Sequence, residues 1–166
     1  MPSTHARFSP SAANRRLHCP PSLMLEEQFQ DEESAYAAEG TAGHAMAEHL
    51  IKKYLKQRTR RPVSDSYIHI IDLKLGRGVQ VDAERNPQLM IYGLGVLSKA
   101  ELLYDPKVVR LTIFQPRLNH CSTWEIDPAE LKQWGEEVLR PTGAMALMGA
   151  GEFAAGNWCR FCKARN

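Results

Sequence analysis

An aspartate and a lysine two residues apart, Asp72 and Lys74, close the stretch "SYIHIIDLKLG" at residues 66–76. Ile68, Ile70 and Ile71 before them read as a strand, and a buried strand that ends in two charged groups must pair them, solvate them or bind something with them. A period of two puts Asp72 and Lys74 on one face, and on this reading turns Leu73 to the core. A carboxylate can hold a hard divalent cation, and a neighbouring ammonium can orient a water or offset charge developing on a phosphate. D-x-K alone is equally the pattern of a solvated strand end. Two further pairs bear on the choice. "EGTAGHAMAEHL" sets His44 and Glu48 four apart on one helical face, and "QLMIY" does the same for Gln88 and Tyr92. Each pair also has a plain reading, a satisfied histidine or a packed tyrosine on a polar helix edge.

The elements that must position these groups follow from periodicity and caps. Tyr67 to Leu73 is the strand carrying Asp72, "GRG" turns it, and "VQV" is read as extending the sheet. "NPQLMIYGLGVLSKAELLY" is a helix with Asn86 as N-cap and Pro87 in its first turn, its two glycines weakening it or allowing close packing. "VVRLTIFQP" is the clearest second strand and "STWEI" a shorter third. Asp127-Pro128 caps a long helix reaching Met148. Upstream, "SPSAANRRLHC" is a short helix opened by Ser9 and Pro10, and "PPSLMLEEQF" is another. The pattern from Glu39 to Lys56 is helical, with Ala42, Ala45, Met46, His49 and Leu50 on a broad face. The tail "GEFAAGNWCRFCKARN" is loop-like. A small central mixed sheet flanked by helices makes this an α/β chain. It is read as a single domain over 1–166, with an N-terminal cysteine segment at 1–38, a core at 39–150 and a cysteine tail at 151–166.

The 166 residues suffice for one core, and 43% apolar with 24% charged residues is ordinary globular composition. A net charge of +2 argues for no particular partner. No run nears the roughly 18 apolar residues of a membrane span. "MPSTHARFSP" has no apolar signal-peptide core, so a cytoplasmic location and no membrane partner are expected. In that setting four cysteines favour thiols or metal ligands over disulfides. Cys159 and Cys162 form a C-x-x-C, a spacing that suits a metal ion or a cluster. Cys121 reads as a thiol in a strand turn. Residues 52–61 hold six Lys or Arg in ten positions, which suits phosphates or a solvated helix end equally.

Taken together, G-T-x-x-H-x-x-x-E, D-x-K on a strand and Q-x-x-x-Y on the next helix resemble the RecB-like branch of the PD-(D/E)xK nuclease superfamily. The wording around them, including "SPSAANRRLHCPPS", "IIDLKLGRGV", "NPQLMIYGLG" and "GNWCRFC", is similar to a phage- and prophage-encoded group left as a domain of unknown function. The resemblance implies a restriction-endonuclease-like core. It implies His44 and Asp72 as ligands of Mg²⁺ or Mn²⁺, with the Leu73 carbonyl beside them. Lys74 would position the attacking water and stabilise the phosphate, Glu48 would support its helix face, and Gln88 and Tyr92 would contact nucleic acid or order the site. The implied activity is an exonuclease on single-stranded or linear duplex DNA, working with phage recombination proteins. Cys19, Cys159 and Cys162 resemble three ligands of a four-cysteine [4Fe–4S] staple that ties the chain ends together.

The pattern departs from the family twice. The aspartate usually carried on the strand of a preceding hairpin is missing, since "IKKYLKQRTRRPVSDS" leaves no room for that strand. Asp65 is the only aspartate there and would reach an ion through a rearranged loop; Glu39 is a weaker substitute. The fourth cysteine is also missing, so zinc with an outside ligand such as His18 is the alternative to a cluster. Two other readings therefore stand beside the nuclease. One is a shortened, catalytically degenerate remnant that keeps the fold and at most binds nucleic acid. The other is a zinc- or cluster-dependent interaction module.

Overall fold

In the computed structural model, residues 8–29, 67–76, 78–101 and 105–164 are described. The helix expected over Glu39–Lys56, the basic stretch at 52–61, and His44, Glu48, Asp65 and Glu39 lie outside them.

A turn of 3-10 helix at Pro10–Ala12 leads into α1 (Ala13–His18), and α2 (Ser22–Glu26) follows across Pro20-Pro21. Ser9 stands at the N-cap position without capping: its hydroxyl pairs with Ser11 instead. β1 (Tyr67–Leu73) comes next, then α3 (Pro87–Ala100), β2 (Val108–Gln115) and β3 (His120–Ile126). α4 (Pro128–Trp134) runs through a π-helical turn at Gly135–Leu139 into α5 (Arg140–Met148), so 128–148 is one continuous helical path, as Asp127-Pro128 predicts. Asp127 Oδ1 caps it by accepting from Ala129 N at 2.7 Å. The tail is not all loop: Asn157–Phe161 forms a 3-10 turn.

β2 is the centre of a three-stranded mixed sheet, parallel to β1 and antiparallel to β3. The parallel pair needs a crossover, and α3 supplies it. Register sets Ile68 beside Val109 and Ile126, Ile70 beside Leu111 and Trp124, and Asp72 beside Ile113 and Ser122. That face is the core face. Val109, Leu111 and Ile113 are fully buried on it, beneath Leu89, Met90 and Leu97 of α3 and Leu131 of α4. Each such side chain contributes about 1.5–3 kcal/mol by leaving water. Gly93 brings α3 down onto the sheet, since a Cβ there would lie 3.1 Å from Leu131 Cδ2 and 3.4 Å from Val109 Cγ1. Of the two readings of the helix glycines, close packing describes Gly93, whereas Gly95 faces open space.

The register overturns one expectation. Asp72 and Lys74 do share a face, but it is the core face. Leu73 turns the other way, with Ile71, which is 62% exposed, and is itself half-buried. The isoleucine run is misleading because Ile70 and Ile71 are both apolar; the alternation that counts is set by the even-numbered residues facing α3. A second correction concerns "VQV" at 79–81, which adds no strand. The Gln115 side chain meets its backbone instead: Oε1 accepts from Val81 N at 2.8 Å and Nε2 donates to Val79 O at 3.2 Å. A side-chain amide thus does what a ladder partner would do.

α3 starts where Asn86 Oδ1 accepts from Gln88 N at 3.1 Å and from Leu89 N at 3.3 Å. Asn86→Ala is expected to cost about 1 kcal/mol, read as a lower urea midpoint at unchanged slope.

Candidate active site

β1 and α3 bring four of the expected residues together at one end of the sheet. Asp72 is 5% exposed, close to the end of β1. The strand hydrogen bonding continues past Leu73, with Lys74 N donating to Phe114 O at 2.9 Å, which holds Lys74 in register beyond the carboxylate. Lys74 Nζ lies 2.7 Å from Asp72 Oδ2. The contact is ionic rather than directed, since Oδ2 is buried and has no aligned hydrogen-bond donor among the described residues. The same ammonium donates to Gln88 Oε1 at 2.7 Å, and Gln88 Nε2 donates to Tyr92 Oη at 3.2 Å. The i, i+4 spacing read from the sequence thus fixes Gln88 by its neighbour one turn on. The Asn86 cap fixes the start of the helix that carries both.

The loop between β1 and α3 is strapped to the sheet end by residues the sequence reading did not single out. Besides the Gln115 clamp, Ala83 N donates to Ser122 Oγ at 2.9 Å. His120 Nε2 lies 3.2 Å from Val81 O and 3.1 Å from Asp82 Oδ1. One signal was available. Gln115 continues the in-phase series Val109, Leu111, Ile113, and a glutamine at a core-phase position, here 3% exposed, needs polar partners. Gln115→Leu is expected to cost about 1–3 kcal/mol, because Val81 N–H loses its acceptor; faster hydrogen exchange at Val81 would show it.

An open groove of about 850 Å³ continues from Tyr92 along Val96 to Ala100, with Ile70 and Ile91 in its lining. Its walls are mostly apolar, with Lys99 as the charged residue of the lining. The carboxylate–ammonium pair lies at the Asp72–Lys74 end.

As a seat for a divalent ion, this end is half of what is needed. Asp72 Oδ2 is a buried carboxylate oxygen without a directed donor, which a hard cation satisfies well. Among the described residues, no group of three or more His, Cys, Asp or Glu side chains is placed to hold a metal. His44, Glu48 and Asp65 lie outside those residues. The side chains that converge are Asp72, Lys74, Gln88 and Tyr92.

The cysteines fit a cluster poorly. Cys19 caps α1 and is 6% exposed. Cys159 Sγ is directed at Ala154 O, 3.9 Å away. Burial pushes the Cys162 thiol up; the Ala164 N–H opposes this, and the neighbouring Glu26 carboxylate reinforces it. Cys121 is exposed, but it lies within β3 opposite Phe114 rather than in a turn. His18, the suggested outside zinc ligand, stacks on Trp158 at 4.2 Å and bonds Asn14 O through Nδ1.

A carboxylate joins the N-terminal helices to the tail. Glu26 Oε2 receives Arg15 at 2.9 Å and Arg16 at 2.6 Å, and Oε1 accepts from Lys163 N at 2.9 Å. Arg16 also donates to Ser22 Oγ, which donates to Cys19 O. Burial pushes Glu26 upward, but the Lys163 N–H and the two guanidiniums outweigh it and hold the carboxyl below its ordinary range.

On the opposite sheet face, His69 Nε2 meets Thr112 Oγ1 at 2.8 Å, and Thr112 meets Thr123 at 2.9 Å. Burial and then the nearby Arg110 charge lower the His69 pKa, which favours the neutral ring.

The fold and site define a mixed α/β domain with a carboxylate–lysine pair set at a strand end against a glutamine–tyrosine helix face. The chain belongs to a family described as protein of unknown function (DUF2800), whose model matches residues 5–67 and 63–166. Among the described residues, no helix is long and apolar enough to cross a membrane.

Proposed function

We propose that this protein is a divalent-metal-dependent DNA nuclease domain of the RecB-like kind, phage-derived and exonucleolytic, with a restriction-endonuclease-like core. The observation that carries the reading is the chain Asp72–Lys74–Gln88–Tyr92, in which one ammonium touches a buried carboxylate and is aimed by an amide on the next helix. Asp72, the Leu73 carbonyl and His44 would hold Mg²⁺ or Mn²⁺, with Asp65 as the candidate further ligand and Glu48 supporting the His44 helix face. The ion would polarise the phosphoryl oxygen and lower the pKa of water. Lys74, 28% exposed in its side chain, can reach a phosphate while it stays in contact with the buried Asp72. Its positive charge offsets charge developing on the phosphate oxygens. Gln88 fixes the ammonium's direction and Tyr92 fixes Gln88.

The test is cleavage of linear single- and double-stranded DNA by the purified chain with Mn²⁺, beside Asp72→Ala. Cleavage that disappears in the variant is the expected outcome. Cleavage that survives in it removes Asp72 from the chemistry.

One observation favours a second reading, the catalytically degenerate remnant. The two matched pieces of the family meet at 63–67, where the sequence leaves no room for the hairpin that would bring the other aspartate. A folded chain that cleaves neither substrate establishes that reading over the first. The interaction-module reading, with zinc or a cluster on Cys19, Cys159 and Cys162, has no comparable support.

A further inference from the structure

We propose that the outer edge of β1 is where a second copy of this chain adds its own β1, antiparallel across a two-fold axis, so that two three-stranded sheets become one of six strands. The inference is independent of the nuclease reading. β2 pairs with one edge of β1, and no strand among the described residues pairs with the other. Lys74 N donates inward, to Phe114 O, and backbone groups along a strand point alternately to its two edges. The amides and carbonyls of Ile68, Ile70 and Asp72 therefore meet β2, and those of Tyr67, His69, Ile71 and Leu73 point to the outer edge. Such a row is a template for another extended strand, and lysine, proline or a bulge usually guards it. Tyr67–Leu73 holds no lysine or proline, and its register on β2 is unbroken. Its one carboxylate, Asp72, is held by Lys74. β3, the other outer strand, differs: Ser122, Thr123 and Glu125 make it polar, and Ser122 and His120 are tied to the loop at 81–83.

The two faces beside that edge say what the occupant must be. On the core side, Ile70 opens onto the apolar groove along α3, with Ile91, Tyr92 and Val96 in its lining. On the other side, Tyr67 is 43% and Ile71 62% exposed. A fitting strand must be mostly apolar on both faces and carry an apolar layer of its own level with the groove. β1 with α3 is that unit. With the axis at Ile70, Ile70 meets its own image beside the groove. His69 then exchanges backbone bonds with the partner's Ile71, and Tyr67 with the partner's Leu73. All four outward-pointing residues gain a bonding partner, and both exposed apolar side chains are covered. A net charge of +2 on each copy opposes the pairing little.

The experiment is sedimentation equilibrium of the full chain from about 1 to 200 µM, with hydrogen exchange read amide by amide at both ends of that range. A dimer should form within it. The amides of His69, Ile71 and Leu73 should exchange roughly tenfold more slowly, or better, at the high concentration, while those of Ile70 and Asp72, bonded to β2, hold steady. Ile71→Pro removes an outward N–H at no cost in bonds to β2, so it should fold, by circular dichroism, and stay monomeric. Ile71→Val keeps that N–H and should dimerise within roughly threefold of the wild type. A dimeric wild type with slowed outer amides, beside a monomeric Ile71→Pro, supports the proposal. A wild type still monomeric at the highest concentration overturns it. So does a dimer that Ile71→Pro leaves intact, or one whose outer β1 amides exchange alike at both concentrations, because that dimer uses another surface. If Ile71→Pro does not fold, the amide contrast in the wild type decides alone.

Discussion

Glu26→Ala is expected to destabilise the protein by about 3–5 kcal/mol, because it leaves two guanidiniums buried without their carboxylate. The Arg16 side chain is 6% exposed and that of Arg15 is 12%. Both Nε atoms already lack partners among the described residues, so the carboxylate carries a large share of what compensates these charges. The loss should show as a lower midpoint in urea and, separately, as faster proteolysis of the tail, since Lys163 N would lose its acceptor. The sign of the pH effect follows from the lowered Glu26 pKa. Above the ordinary value of 4.5, the carboxyl is ionised folded or unfolded and its stabilisation is fully present; as pH falls below 4.5 through the lower folded value, the stabilisation is lost. The wild type should therefore release its tail in acid, and Glu26→Ala should show little of that acid dependence. If a cluster held the chain ends, the pair Cys159→Ser and Cys162→Ser would be the damaging change instead. On the geometry here, that pair should cost less than about 1 kcal/mol.

The contrast between these two fastenings shows where sequence reading succeeds. Local signals carried over almost unchanged: Asn86-Pro87 and Asp127-Pro128 start helices because cap chemistry acts over two or three residues. Tyr67–Leu73 is a strand because its side chains suit a pleated surface. The i, i+4 pair Gln88–Tyr92 and the i, i+2 pair Asp72–Lys74 were legible for the same reason, and their meeting across fourteen residues, Lys74 to Gln88, follows from the crossover. What was not legible is long-range. Glu26 meets Lys163 across 137 positions, and no periodicity couples them. Cysteines at suggestive spacing drew the eye to the junction of α1 with the tail, where the contacts described are those of Glu26. Gln115 stood out by its core phase, but its partners are backbone atoms of a loop, which no side-chain pattern marks. The face of Leu73 was misread because an apolar side chain before a charge was taken for core, when the buried member of that pair is the aspartate.

The second large effect is expected at Leu111, on the central strand and fully buried between its register neighbours Ile70 and Trp124. Leu111→Ala should cost about 2–5 kcal/mol: the lost burial, plus a term for the cavity that stays open if its walls do not close in. Those walls are set by Gly93, whose absent side chain already lets α3 approach as near as Leu131 and Val109 allow, so there is little slack for collapse. This makes a sharper test than the single variant. An alanine at Gly93 would have its Cβ 3.6 Å from Leu111 Cδ2, 3.4 Å from Val109 Cγ1 and 3.1 Å from Leu131 Cδ2. Alone, Gly93→Ala sets a gain in helix propensity of about 1 kcal/mol against crowding that its neighbours must relieve. With Leu111 already trimmed, part of that crowding is gone and the new methyl fills part of the void. The double variant should then be less destabilised than the sum of the two, by about 0.5–2 kcal/mol in urea unfolding. Strict additivity would mean that α3 rides clear of β2 at this point. In that case Gln88 would owe its place beside Lys74 to the Asn86 cap and the Gln115 strap rather than to packing of its own helix on the sheet.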